Sequence, residues 1–306
     1  MGTQQITSDD DTTRSEICTQ AALYAQIFYR VPLEIVRDVW IPNIMLQNLR
    51  NRKKLCLVLD LDQTLLHTKR VHRLSQEDRI RFCNSSQKND ISRWKSSNVE
   101  FLTKLRPFVR KFLPEASKLF DMYIYTNGSR CYAKKMAGLL DPDRVYFGSR
   151  IISREDSTAA GQKRLDVVPV HKSGVLILDD SEKAWARDLS NLIVIKQYEY
   201  FAAEDPNSPR SLSEEGTDES ESSGPLSWAL RLLQEVHRSY FEFNHLFDVN
   251  ELLGVLVENN GIHEEKPQEL GTGNSWCDVG SRKRSRVNDE RSSSDVPNDV
   301  AKRQKR

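Results

Sequence analysis

Two aspartates that directly follow an apolar run are the strongest candidates for chemistry in this sequence. Asp60 and Asp62 come after the run Leu55–Leu59 and are separated by one residue. Alternate side chains of an extended chain point the same way, so both carboxylates are expected on one side. Because they repel each other they need a cation, and oxygen ligands suit Mg²⁺, which also binds phosphate groups. The alternative is a solvated turn or a helix cap, which acidic pairs after a strand commonly form.

These residue types are the ones that a phosphoryl-transfer site uses. Asp60 can attack phosphorus and form an aspartyl-phosphate. Asp62 can protonate the leaving hydroxyl group and then activate the water molecule that hydrolyses this intermediate. A Mg²⁺ ion would reduce the repulsion between the nucleophile and the phosphate, and the hydroxyl group of Thr64 can fix the turn after the pair. The spacing therefore predicts covalent, magnesium-dependent phosphate chemistry.

A second apolar run ends in a hydroxyl group. Thr126 and Asn127 follow Met122–Tyr125 and precede a helical pattern. A hydroxyl group and backbone amides at the start of a helix can bind phosphate. A plain helix cap is the alternative for this position.

A third apolar run, Val175–Leu178, ends in another acidic pair. Asp179 and Asp180 can complete a metal site, or they can cap the helical pattern that follows. One lysine should neutralise the phosphate and the carboxylates, and Lys163 lies upstream of this run. By itself, however, a lysine is far more often a surface residue.

The elements that must position these residues alternate between strands and helices. Short, continuous apolar runs are typical of strands buried on both faces, and the sequence contains four of them: Leu55–Leu59, Met122–Tyr125, Val175–Leu178 and Leu192–Ile195. Helical patterns lie at roughly 107–119, 129–140 and 182–189. This alternation predicts an α/β fold with a mainly parallel sheet. In such sheets ligands bind beyond the carboxyl ends of the strands.

The flanking regions differ from this central part in composition. The predicted organisation is a disordered segment at 1–15, a helical extension at 16–50, a core at 51–202, an acidic Ser-rich linker at 203–224, two helices that complete the domain at 225–258, and a disordered basic tail at 259–306. The tail contains two Lys/Arg clusters, which predict nuclear localisation through an import receptor. A generic charged tail is the alternative interpretation.

Composition excludes several classes of protein. The formal net charge is only +1, so the whole chain is not a polycation, and no direct nucleic-acid partner is expected. The five cysteines form no Cys-x-x-Cys pair, which argues against a zinc ribbon or a disulfide framework. Charged residues and prolines interrupt the apolar stretch before residue 40, so no membrane association is expected.

Four motifs occur in an order that resembles a known family. They are Asp-Leu-Asp-Gln-Thr at 60–64, Tyr-Thr-Asn-Gly at 125–128, the single lysine at 163 and Leu-Asp-Asp-Ser at 178–181. They resemble the motifs of the haloacid dehalogenase superfamily, and within it the phosphatases that act on the C-terminal domain of RNA polymerase II, especially the plant phosphatase-like members. The resemblance implies a haloacid dehalogenase-like Rossmannoid domain whose mainly parallel central sheet is flanked by helices.

The resemblance also implies roles for the acidic residues. Asp60 would be nucleophile and metal ligand, and Asp62 would be the general acid/base and bind Mg²⁺ through its backbone carbonyl. Asp180 would be the second carboxylate ligand of the ion, while Thr64 and Arg106 would support the site.

Phosphate-binding roles follow from the same resemblance. Thr126, Asn127 and Lys163 would bind the phosphate group. Asp179 would hold the lysine and the threonine of the first motif in place. Lys172 is a second candidate for the lysine, but it lies very close to the third apolar run.

The function predicted on this basis is a magnesium-dependent protein serine phosphatase in the nucleus, with the phosphorylated C-terminal domain of RNA polymerase II as its partner. A small-molecule phosphatase of the same superfamily is an alternative, but it would need a cap domain, and no clear one is visible. A catalytically silent phosphoprotein-binding adaptor is a second alternative, against which the intact motifs argue. The basic segment 67–98 could steer an anionic peptide or form a solvated loop.

Overall fold

A parallel sheet with helices on both faces forms the centre of the protein. The computed structural model of the chain describes residue 35 and residues 39–83, 90–202, 210–243 and 246–259. Five strands pair in parallel in the order β6-β5-β1-β7-β8. In chain order these strands are β1 (Leu55–Leu59), β5 (Phe120–Tyr125), β6 (Ile151–Ile152), β7 (Val175–Asp179) and β8 (Leu192–Val194).

Strand β1 lies in the middle of this sheet because every one of its side chains is apolar and buried. Alternate residues contact opposite faces. Leu57 packs with the helices at 109–119 and 225–242 on one face. Val58 packs on the other face with the helix that precedes β1. The predicted α/β fold with a mainly parallel sheet is confirmed, and the four apolar runs correspond to β1, β5, β7 and β8.

Seven helices are present among the described residues, and the longer ones cover the sheet. They are α1 (Ile41–Asn51), α2 (Gln76–Cys83), α3 (Val109–Leu119), α4 (Arg130–Leu140), α5 (Leu212–Glu215), α6 (Pro225–Glu242) and α7 (Val249–Asn259). Helix α6 begins with proline at its first position, where no backbone donor is needed. The helices expected at 107–119, 129–140 and from 225 onward are present, whereas 182–189 contains a short 3₁₀ turn, Glu182–Trp185, and the start of a second one at Leu189 instead of an α-helix.

A second, smaller sheet lies between β1 and α3 in the chain, and it was not predicted. Its strands are β2 (Leu66–Arg70), β3 (Ile91–Ser96) and β4 (Val99–Leu105), which pair antiparallel in the order β2-β4-β3. Lysine and arginine occupy many of its solvent-facing positions, so no continuous apolar run marks the strands. The basic segment at 67–98 is therefore largely structured in its described part, rather than a loop.

The acidic segment also differs from its prediction as a linker. In its described part, 210–224, it contains α5 and packs against the domain. Asp218 forms an ion pair of 2.8 Å with Lys104, and Glu219 forms one of 2.7 Å with the buried Arg106. Both carboxylates therefore balance cations that would otherwise be buried without a partner charge.

The predicted disordered segments at 1–15 and after 259 lie outside the described residues, as do 203–209 and most of the helical extension at 16–50. Within the part of the chain that the structure describes, none of the helices has the length and apolar character needed to cross a membrane.

The ion pair between Arg106 and Glu219 should stabilise the fold much more than an exposed pair in the same segment. Arg106 also donates to the backbone oxygens of Thr64 and Lys196, at 2.9 and 2.7 Å. The substitution Arg106→Met leaves the carboxylate of Glu219 and the carbonyls of Thr64 and Lys196 without this donor. We therefore expect the free energy of unfolding to fall by roughly 3–5 kcal/mol.

Equilibrium urea unfolding of the two variants Arg106→Met and Lys111→Met measures this difference. Lys111 pairs with Glu221 of the same acidic segment, but both side chains are largely exposed. Its replacement should change the free energy of unfolding very little. Equal losses for the two variants would show that the acidic segment is not anchored through Arg106.

Candidate active site

The carboxyl ends of β1 and β7 bring three aspartates together. Leu59 of β1 pairs with Leu178 of β7, and the amide of Asp60 donates to the carbonyl of Leu178 at 3.0 Å. One carboxylate oxygen from each of Asp60, Asp179 and Asp180 lies within 4.8 Å of the others. Two of the three side chains are buried. Because strands β1 and β7 are neighbours, residues far apart in sequence form one acidic cluster.

Lys163 supplies the positive charge of this cluster. Its ammonium group contacts a carboxylate oxygen of Asp60 and lies 2.6 Å from Oδ2 of Asp179. Only 2% of its side chain is exposed. The rings of Tyr125 and Trp185 lie nearby, with centroids 5.9 and 5.8 Å from Nζ. Lys172, the other candidate lysine, is exposed in a 3₁₀ turn before β7.

Burial and charge oppose each other in this group of residues. Burial lowers the pKa of Lys163, but the contacts with Asp60 and Asp179 outweigh it and raise that pKa above its ordinary value. Burial raises the pKa of Asp60, and the ammonium group of Lys163 acts against that rise. One ammonium group faces three carboxylates, so the cluster has room for further positive charge.

Asp179 is held by three donors. Its Oδ2 accepts from Lys163 and from the indole nitrogen of Trp185 at 2.8 Å, while Oδ1 accepts from the amide of Ser181 at 2.9 Å. These contacts occupy both oxygens of the carboxylate and fix its direction. The sequence analysis gave Trp185 no role in the site, although it lies only six positions after Asp179.

Thr64 connects the loop after β1 to the end of β7. Its hydroxyl group donates to Oδ1 of Asp180 and accepts from the amide of Asp180, both at 3.1 Å. The expectation that Asp179 holds this threonine is therefore wrong, since its partner is the neighbouring aspartate. Asp179 and Asp180 have different partners because the side chains of successive residues leave a strand in opposite directions.

Asp62 faces the first turn of α4. The hydroxyl group of Tyr132 donates to its carboxylate and lies 3.0 Å from the hydroxyl oxygen of Thr68. Burial raises the pKa of Asp62 to about 6, and the hydrogen bond from Tyr132 limits this rise. Sequence reasoning missed Tyr132. Its position in the first turn of the helix after Thr126 could have identified it, because that helix follows β5, the strand that pairs with β1.

Thr126 and Asn127 directly follow β5, which pairs with β1 on the side opposite to β7. The buried hydroxyl group of Thr126 accepts from the amide of Gly128 at 3.0 Å, whereas Asn127 is exposed. Arg106 does not belong to the acidic cluster. It donates to the backbone of Thr64 and thereby supports the loop that carries the first motif.

A cavity of about 430 Å³ adjoins Asp62 on the side of the smaller sheet. It is lined by Asp62, His67, Thr68, Lys69, Arg70, Arg73, Phe101 and Tyr132. Burial, and to a smaller extent Lys69, lowers the pKa of His67 to about 4, so the imidazole is neutral at pH 7. Its Nδ1 accepts from the amide of Tyr200 at 2.9 Å, which agrees with a neutral ring. The positive charge of the cavity therefore comes from lysine and arginine.

Comparison with known proteins identifies the class to which this fold and site belong. The model of the NLI interacting factor-like phosphatase family matches residues 55–213. This match covers more than half of the chain, so the protein belongs to the NLI interacting factor-like phosphatase family. The resemblance that the four motifs indicated is confirmed.

Individual relatives agree with this family. The protein is 46% identical to the RNA polymerase II C-terminal domain phosphatase-like 4 of Arabidopsis thaliana over 203 residues, which are 63% of this chain and 46% of that protein. It is 33% identical to the RNA polymerase II C-terminal domain phosphatase-like 3 of the same plant over 217 residues, which are 65% of this chain and 17% of that protein. The chain thus spans less than half of the length of these relatives.

A solved structure supports the fold. The structure of Fcp1, an essential RNA polymerase II CTD phosphatase, superposes with a TM-score of 0.58 at 22% sequence identity and covers 71% of this chain and 74% of that one. At this identity the likeness shows the fold alone, and it confirms the predicted haloacid dehalogenase-like architecture.

The different surroundings of Asp179 and Asp180 predict different consequences of neutralising them. Asp180→Asn should raise the divalent cation concentration that gives half-maximal activity by roughly tenfold or more, because the motif resemblance assigns this carboxylate as a ligand of the cation. Asp179→Asn should instead lower turnover at saturating cation, because Lys163 loses its second carboxylate partner. Titrating Mg²⁺ against phosphate release from a phosphopeptide measures both effects.

The exposed Asp143 supplies the matched control, since Asp143→Asn removes a carboxylate that does not belong to the cluster. Rescue of Asp179→Asn by excess Mg²⁺, with no such rescue of Asp180→Asn, would reverse the two roles.

Proposed function

We propose that this protein is a magnesium-dependent protein serine phosphatase that acts on the phosphorylated C-terminal domain of RNA polymerase II, with Asp60 as its nucleophile. The observation that carries the proposal is the position of Asp60 at the end of β1, in contact with Lys163 and close to two further carboxylates. The names of its relatives, which refer to phosphatases of that polymerase domain, support the choice of substrate.

The chain's own residues account for the proton and electron movements. A carboxylate oxygen of Asp60 attacks phosphorus, and the bond between phosphorus and the serine oxygen breaks. Asp62 gives its proton to that departing oxygen. The resulting carboxylate then takes a proton from the water molecule that attacks the aspartyl-phosphate, which releases phosphate and restores Asp60. A pKa of about 6 suits Asp62 to both steps near neutral pH.

Lys163 and Thr126 would hold the phosphate during these steps. The ammonium group of Lys163 already contacts Asp60, so it would neutralise the oxygens of a phosphate attacked by that residue. Thr126 directly follows the neighbouring strand β5, and the backbone amide of Gly128 already donates to its hydroxyl group. Asn127 is exposed beside them and available to the incoming substrate.

The donor set fits Mg²⁺. Hard carboxylate and carbonyl oxygens are the ligands this ion prefers, and one ammonium group leaves the charge of the three clustered carboxylates unbalanced. Asp60 and Asp180 would hold the ion through their side chains, and Asp62 through its backbone carbonyl. When bound, the ion would withdraw charge from the phosphate oxygens and reduce their repulsion of the nucleophile.

A peptide substrate is favoured over a small metabolite because the site is open at its edge. Asp62 and Asp180 are both partly exposed, and Asn127 is exposed. The smaller sheet borders the cavity next to Asp62 without enclosing it. Nuclear localisation through the basic clusters of the tail, with an import receptor as partner, is part of the proposal and lies outside the described residues.

Replacing the nucleophile is the direct test of this function. Asp60→Asn removes one charge from a crowded cluster but keeps the shape of the side chain. We expect turnover of a phosphoserine peptide from the polymerase domain to fall by roughly 10³-fold or more, with an unchanged or higher melting temperature. Phosphate release and thermal unfolding are measured on the same preparation. Substantial activity of Asp60→Asn would contradict the mechanism, and absence of wild-type activity on any phosphopeptide would contradict the function.

A further inference from the structure

The basic residues that line the cavity beside Asp62 have no role in the chemistry described above. Asp62 and Tyr132 form the part nearest to the reaction centre, and Lys69, Arg70 and Arg73 contribute three cations elsewhere in its lining. Asp62 is the only carboxylate among the lining residues, and His67 is neutral at pH 7. The cavity therefore has a net positive lining next to an acidic reaction centre, and a second anionic group of the substrate would be attracted to it.

Arg70 is the cation best placed to meet such a group. It is exposed, and it forms no ion pair with any of the described residues. Lys69 also lines the cavity, but its ammonium group already donates to the carbonyl of Ala202. A guanidinium group binds phosphate through two parallel hydrogen bonds, which is a geometry that lysine cannot offer.

The strand register gives the distance between this arginine and the reaction centre. Thr68 and Arg70 pair with Thr103 and Phe101 of β4, so both point to the same face of the smaller sheet. Tyr132 joins this face to the centre, because its hydroxyl group contacts both Asp62 and Thr68. Two residues of a strand span about 7 Å, and two hydrogen bonds add about 6 Å at most.

Arg70 therefore lies about 7 Å beyond Thr68 and at most about 13 Å from Asp62 along the face of the sheet. An extended peptide advances roughly 3.3–3.6 Å per residue. A group that reaches Arg70 would then be two to four residues from the serine whose phosphate is at Asp60. Phe101 lines the cavity and supplies an apolar surface along this path, and its ring stacks on Trp94 with centroids 4.4 Å apart.

We propose that the cavity binds a second phosphorylated residue of the same peptide, two to four positions from the scissile phosphoserine, with Arg70 as its principal contact. The inference rests on the proposed function and narrows its substrate class to multiply phosphorylated peptides. Lys69 and Arg73 add to the local positive charge, while Phe101 and Tyr132 contact the intervening residues.

Peptides with one or two phosphoserines test this inference. The second phosphoserine is placed at each position from one to six residues before or after the scissile one. The quantity compared is the ratio of kcat/KM for the doubly phosphorylated peptide to kcat/KM for the singly phosphorylated peptide. For the wild-type protein we expect this ratio to be on the order of ten when the second phosphoserine lies two to four residues away, on one side of the scissile one. At a spacing of six residues the ratio should be near one.

Two arginine variants provide the comparison. Arg70→Gln should bring the ratio at the preferred spacing close to one. Arg93→Gln removes the same charge from the same small sheet, but Arg93 pairs with Leu102 and points to the other face, so its ratio should match the wild type. A ratio near one at every spacing in the wild type, or an equal ratio in both variants, would overturn the inference.

Binding separates this inference from the proposed function. Fluorescence anisotropy with labelled peptides and the Asp60→Asn variant should show tighter binding of the doubly phosphorylated peptide, which the added substitution Arg70→Gln abolishes. Hydrolysis of the singly and the doubly phosphorylated peptides with equal kcat/KM at every spacing would refute the second phosphate site alone. Absence of hydrolysis for all peptides would refute the proposed function, while anisotropy would still decide whether the cavity binds a second phosphate.

Discussion

The ammonium group of Lys163 lies between the carboxylates of Asp60 and Asp179 in a place that water hardly reaches. Without it, two buried carboxylates at the ends of adjacent strands would repel each other with little solvent to screen them. Tyr125 and Trp185 pack near the ammonium group, and Trp185 also donates to Asp179. The contact therefore fixes the segment before β7, the end of β1 and the turn after β7 relative to one another.

The parallel sheet makes this contact possible. Because β1 lies between β5 and β7, the side chains that follow these two strands lie on either side of its carboxyl end. The continuous apolar sequence of β1 buries it on both faces, and the first polar side chains after it are those of Asp60 and Asp62, to which we assign the chemistry. The acidic segment contributes at a distance, since Glu219 neutralises Arg106, and Arg106 holds the backbone of Thr64. The site is thus partly exposed at its edge, while the ion pairs that hold its loops in place are buried.

The sequence identified the elements whose side chains are uniformly buried. Strands β1 and β7 and the aspartates after them could be predicted because short apolar runs that end in acids leave few alternatives. The smaller sheet could not be predicted, since lysines and arginines occupy its exposed positions and obscure the alternation. Partners across the fold were also out of reach. That Thr64 bonds to Asp180, and that Tyr132 bonds to Asp62, depends on how loops from different strands meet.

Asp60 as a covalent nucleophile is the central claim, and trapping the intermediate tests it most directly. An acyl phosphate on an aspartate is reduced by borohydride to homoserine, so the wild-type protein is mixed with a phosphopeptide, quenched during turnover and reduced. Mass spectrometry of the proteolytic fragment that contains Asp60 should then show homoserine at this position, and at neither Asp62 nor Asp180. Turnover without homoserine at Asp60, or with homoserine at another aspartate, would contradict the claim.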